Sequence, residues 1–129
     1  MQSLETLEDQ LEIFDNLPVP TQEAFLLQTL EELDNLGGDM DTIVQSWEAG
    51  DTAALQHFLL DSFEQHPDLY DRILVQRNLN WLPHIEGFIN QDQDYLVIVG
   101  AAHLIGPEGV VQLLHDRGYS VTQIYQAAP

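Results

Sequence analysis

A chain of 129 residues with 44% hydrophobic content can bury one domain-sized core, and no apolar run approaches the roughly 20 residues of a membrane span. Twenty-two acidic residues against three arginines and no lysine give a net charge of -19, which repels phosphate backbones and anionic lipid and so excludes nucleic acid and membrane surfaces as partners. The absence of cysteine excludes disulfides, thiolate nucleophiles and zinc–thiolate sites.

The start, Met1-Gln-Ser-Leu-Glu5, has neither the basic nor the apolar region of a signal peptide. Residues 6–17 carry Leu7, Leu11, Phe14 and Leu17 at helical spacing, with Thr6 as N-cap and Glu8 and Asp9 in the first turn. Leu17-Pro-Val-Pro20 stops that helix. A second helix is expected from Thr21 to Leu36, with Leu26, Leu30, Leu33 and Leu36 as its stripe and Gly37-Gly38 ending it. A shorter one follows from Asp41 to Glu48 with Ile43, Val44 and Trp47. Gly50-Asp51 is a break and a new cap, after which Leu55, Phe58, Leu59 and Phe63 mark a helix that ends at His66-Pro67. Leucine, phenylalanine and tryptophan on these faces are expected to form core, with Trp47 and Trp81 as anchors.

The next helix, Asp68 to Asn90, is predicted to bury Tyr70, Leu74, Trp81, Ile85 and Phe88, and Arg77 falls in the middle of that face. A buried guanidinium cannot shed its charge and requires a carboxylate or an anionic ligand. Pro83 predicts a kink in the same helix.

Residues 94–109 follow. The apolar run Tyr95 to Val99 reads as a strand buried on both faces, and Gly100, Ala101 and Ala102 are expected to turn the chain and leave space around His103. Pro107 is placed to begin a helix to Asp116, Gly118 to stop it, and Tyr119 to Tyr125 to form a last strand. The expected fold is therefore α/β and α-rich, a bundle of short helices plus a C-terminal β-α-β unit forming a small, mainly parallel sheet, all in one domain over 1–129. Two strands are too few for a stable sheet, and only Gln2 to Leu4 offers a third.

Three segments resemble the TraB/GumN family, which includes the Tiki proteins: Ser3-Leu-Glu-Thr6 with Asp9-Gln10 and Phe14-Asp15; Gln76-Arg-Asn78 with Trp81; and Val99-Gly-Ala-Ala-His-Leu104 with Gly106, Gly109 and Gly118-Tyr119. The resemblance is to the C-terminal half of such proteins and implies a partial metal-dependent hydrolase fold, related to the ChaN and erythromycin esterase group. The family site combines two Gly-x-x-His motifs, a glutamate and an arginine. His103 corresponds to the second histidine, Glu5 to the glutamate and Arg77 to the arginine. The first motif has no counterpart, since Gly100 is the only glycine followed three positions later by histidine.

On this resemblance Glu5, Arg77 and His103 are the catalytic candidates, and His103 with Glu5 would ligate a divalent metal such as manganese, cobalt or zinc. The metal would acidify a bound water while arginine stabilises the oxyanion of peptide or ester hydrolysis. Two ligands fall short of the usual three, so weak metal binding and little activity are expected from this chain alone. The implied substrate is a peptide or small molecule, and an exported or cell-envelope location is compatible with the family. Two other accounts stand beside this one. In the first, His103 is a structural turn residue and Glu5 and Arg77 form a mutual salt bridge. In the second, the chain is a non-catalytic assembly module that pairs a strand edge with a second copy or with the missing N-terminal half.

Overall fold

The computed structural model describes residues 2–33 and 36–124, and among them the fold is helical, with no strand and no sheet. The helices are α1 (Leu7–Asp15), α2 (Val19–Leu33), α3 (Leu36–Ala49), α4 (Thr52–Leu60), α5 (Pro67–Tyr70), α6 (Gln76–Ile89) and α7 (Val110–Asp116), with a 3₁₀ segment at Asp61–Gln65. None of them is long and apolar enough to cross a membrane.

Several boundaries follow from local chemistry. Thr6 and Asp9 close a reciprocal capping box on α1, and Asp51 caps α4 by accepting from the Ala54 N–H. Gly50 takes a positive φ at the break between α3 and α4. At the end of α7, Gly118 at φ 89° lets its own N–H reach the His115 carbonyl and the Tyr119 N–H reach Leu114, a Schellman closure. Elsewhere packing overrides the local signals. Gly37 and Gly38 lie inside α3 rather than ending α2, and Pro107 sits in a turn, so that α7 starts three residues later at Val110. Pro83 is accommodated within α6.

Between α5 and α6 the chain makes one π-helical turn, Asp71–Val75, with the Gln76 N–H donating five residues back to the Asp71 carbonyl. Helix therefore runs without interruption over 67–89. Its buried positions, Leu69, Leu74, Asn78, Trp81, Leu82 and Ile85, are spaced by five across the π turn and by three or four afterwards. That extra residue rotates the buried face, so Asn78 rather than Arg77 lies at its centre.

The predicted parallel sheet is absent. Residues 94–99 are extended, with Val97 and Val99 packed on Trp81, Ile85 and Val110, but Leu96 and Ile98 are 85% and 82% exposed. This stretch closes no backbone hydrogen bond with another described residue. Residues Tyr119 to Ile124 form no strand either, Gln2 to Leu4 adds none, and Tyr125 lies outside the described residues. A strand needs a neighbour to complete its ladder, and the described residues provide none.

The core consists of two clusters. One joins Leu55 and Leu60 of α4 to Leu74 and Ile105, and the other joins Trp81 and Ile85 of α6 to Val110. The expectation that the early apolar stripes are core holds in part: Leu17 and Leu55 are buried and Ile43, Leu59 and Phe63 pack on the first cluster, but Leu7, Leu11, Phe14, Leu26, Leu30, Leu33, Val44 and Trp47 are substantially exposed, and the Leu36 side chain lies outside what is described.

The turn before α7 brings the backbone against itself. A Cβ on Gly109 would collide with the Ile105 carbonyl oxygen and approach the Ile105 carbonyl carbon to 2.8 Å. No rotamer relieves a backbone clash, so Gly109→Ala is expected to lower unfolding free energy by at least about 2 kcal/mol, measurable by urea denaturation. A cost below about 0.5 kcal/mol would show that the turn relaxes freely.

Candidate functional site

Glu5 follows the N-terminal extended residues just ahead of the α1 cap, Arg77 and Asn78 lie in the first turn of α6, and His103 ends a 3₁₀ turn, Ala101–His103, after the extended segment. The fold gathers these distant positions along one groove of about 770 Å³, lined by Glu5, Arg77, Trp81, Val97, Val99 and His103.

Arg77 clasps Glu5 through two nitrogens: Nε donates to Oε1 at 2.9 Å and Nη2 to Oε2 at 2.8 Å, while Nη1 reaches the Ile73 carbonyl at 3.3 Å. The same guanidinium stands 5.1 Å from the centroid of the Trp81 ring. The mutual salt bridge anticipated for Glu5 and Arg77 is thus formed, at the margin of the buried face. Burial pushes the Glu5 carboxyl up, but the hydrogen bonds and charge of Arg77 outweigh it and hold the group below the usual carboxylate range. Trp81 Nε1, fully buried, closes no hydrogen bond; its N–H favours the charged Glu5 from outside bonding geometry.

His103 is buried against Trp81, with ring centroids 4.5 Å apart, not standing in the open space that the small residues before it suggested. Its Nδ1 meets Asn78 Oδ1 at 2.7 Å, and Asn78 Nδ2 donates to the Glu108 carbonyl at 2.8 Å. Because the amide nitrogen must face that carbonyl, Oδ1 is the acceptor and the imidazole proton resides on Nδ1. Nε2 therefore carries the lone pair, and it makes no hydrogen bond to a described residue. Tyr70 fixes the same turn by donating to Glu108 Oε2 at 2.9 Å, and burial together with that carboxylate raises the phenol to about 12.

Burial, then the charge of Arg77, lower the His103 pKa to about 4, with Glu5 opposing. The ring is neutral at pH 7, with a basic nitrogen available. The linkage has a definite sign. The folded pKa lies below the ordinary 6.5, so the unfolded chain binds the proton more tightly between these values. Stability is full above about pH 6.5 and falls as pH drops toward 4, by up to about 3 kcal/mol. Urea midpoints at pH 7, 5.5 and 4.5 should show this slope, and His103→Gln should flatten it. An equal slope in that variant would assign the loss to other groups.

Among the described residues no group of three His, Asp or Glu side chains is positioned to hold a metal. His103 Nε2 is one donor, and both oxygens of Glu5 are engaged by Arg77. These residues do not by themselves complete a metal site.

The profile of the TraB/PrgY/gumN family matches residues 1–123. The chain belongs to the TraB/PrgY/gumN family. No curated protein and no solved structure matches it. In this TraB/PrgY/gumN chain the three residues singled out by resemblance do converge on one groove. Asn78 is the member that sequence reasoning missed. It stood in the Gln76-Arg-Asn78 segment, but the uniform helical spacing applied to 68–90 concealed that it is buried. The five-residue step from Leu69 to Leu74 was the available signal.

Proposed function

We propose that the groove of this TraB/PrgY/gumN chain is part of a hydrolytic, peptidase-like centre, in which His103 supplies a neutral imidazole nitrogen and Arg77 an oxyanion-stabilising charge. The observation that carries this reading is the hydrogen-bond chain from His103 Nδ1 through Asn78 to the Glu108 carbonyl. An Asn78 oxygen that accepts from Nδ1–H holds the proton there and leaves the Nε2 lone pair for a metal or a proton, as a hydrogen-bonded neighbour of a ligating or basic histidine does. The bidentate Glu5 carboxylate orients Arg77 and leaves N–H donors beyond that pair to meet developing negative charge. Further donors would come from a second Gly-x-x-His segment beside Gly100-Ala-Ala-His103, which is the one these 129 residues carry. The chain alone would bind manganese, cobalt or zinc weakly and turn over little substrate.

The test is calorimetric titration of each metal into the chain and its His103→Ala variant. Weak, saturable binding that disappears in the variant supports the reading. Binding that never saturates, or that ignores the substitution, overturns it.

A second reading, a non-catalytic module that pairs the edge of residues 94–99 with another chain, is favoured by one observation. An extended segment with unbonded backbone and exposed Leu96 and Ile98 is an open edge. Light scattering over a concentration series tests it, because a strict monomer at all concentrations would remove the homodimer form of this reading.

A further inference from the structure

A second cleft, of about 450 Å³, opens between α1 and α6. Glu5 and Arg77 line it as well as the groove at His103, so their ion pair is the partition between the two. Helix faces turned toward one another are normally apolar, yet here α1 brings Asp9 and Glu12 to the space, with Asn16 at its end, and α6 brings Gln76, Asn80 and His84. Polar walls around an open volume suit a polar ligand.

Most charges at this cleft are already answered. Arg77 holds Glu5, and Asp9 accepts from the Thr6 N–H and hydroxyl in the α1 capping box. Two charges are not. The half-buried Arg72 guanidinium donates from Nη1 to the Asn16 carbonyl at 3.2 Å and meets no carboxylate among the described residues. Arg117, by contrast, is paired with Glu86 at 2.6 Å. A guanidinium without a carboxylate stands out in a chain with 22 acidic residues. The exposed Glu12 carboxylate likewise closes no ion pair among the described residues, with Arg72 or with any other cation.

Opposite charges that border one cleft without pairing fit a ligand that carries both. A simple anion would face Glu12 and a net charge of -19, and a simple cation would face Arg72 and Arg77. We propose that the α1–α6 cleft binds a small zwitterion of the amino-acid type, its carboxylate on Arg72 and its ammonium on Glu12, with Asn80 and His84 available to a polar side chain. The site stands whether or not the groove at His103 hydrolyses anything.

The probe is L-glutamine, titrated into the isotope-labelled full chain and followed by amide chemical shifts. Saturable shifts are expected at residues of α1 and α6. The monoamide of glutaric acid, which lacks the ammonium, and γ-aminobutyramide, which lacks the carboxylate, should each bind at least about tenfold more weakly. Arg72→Gln and Glu12→Gln should each weaken glutamine binding by about tenfold or more. Neither side chain belongs to the core, so both variants should keep their helix content, which circular dichroism verifies. The absence of saturable shifts overturns the inference, as does equal binding of either truncated probe. Unchanged binding by either folded variant overturns it as well.

Discussion

Trp81→Ala is expected to lower the unfolding free energy by about 4 kcal/mol, the largest effect of any single substitution considered. The indole is the common neighbour of Ile85 and Val110, with Leu4, Val97, Val99 and Leu114 completing the same cluster. It also carries the Arg77 guanidinium and the His103 ring. Removing it leaves a cavity that rigid helices fill poorly and deprives Arg77 of its cation–π contact. A domain of this size has only about 5–15 kcal/mol in total, so the variant should lose between about a quarter and most of its stability. Urea denaturation followed by far-UV circular dichroism measures the loss. A cost below about 1 kcal/mol would mean that the extended segment collapses to refill the space.

Asn78→Leu is expected to cost about 3 kcal/mol and to change the chemistry of the groove as well. Leucine fills similar volume, so the loss is that of two buried hydrogen bonds, with the Glu108 carbonyl and the His103 Nδ1–H both stranded. Without its acceptor the imidazole is free to move its proton to Nε2, removing the lone pair from the groove. Nitrogen NMR of the ring should report an Nδ1-protonated tautomer in the native chain and a mixture in the variant. Asn78→Asp provides the complementary arm, because a carboxylate beside Nδ1 must raise the His103 pKa from about 4. An unchanged tautomer in the leucine variant would mean that another group holds the proton.

What could be read in advance follows the range of the forces involved. Caps and breaks at Thr6, Asp51 and Gly118 were legible because their partners lie within a few residues. A carboxylate for Arg77 was foreseeable because a guanidinium on an apolar face requires one, but only the family resemblance pointed to Glu5 as that partner. The sheet was not foreseeable in its outcome. A run such as Tyr95 to Val99 specifies an extended backbone, but whether a ladder forms depends on neighbouring strands, and here none of the described residues supplies one. The same limit misassigned Trp47 and the leucines of α2: helical periodicity identifies an apolar face, while only tertiary packing decides which way that face points.

The π turn at Asp71–Val75 sets how this chain can tolerate change in length. One residue removed from that turn would restore an ordinary α-helix from Pro67 onward and swing everything after it by about 100°. Arg77 would leave Glu5, Asn78 would leave His103, and Trp81 would leave its cluster, although none of those residues had been altered. A one-residue deletion there is thus equivalent to replacing the entire face of α6. The site is written in the spacing of the chain as much as in the identity of its residues, and an alignment that closes that gap would match the letters while losing the groove.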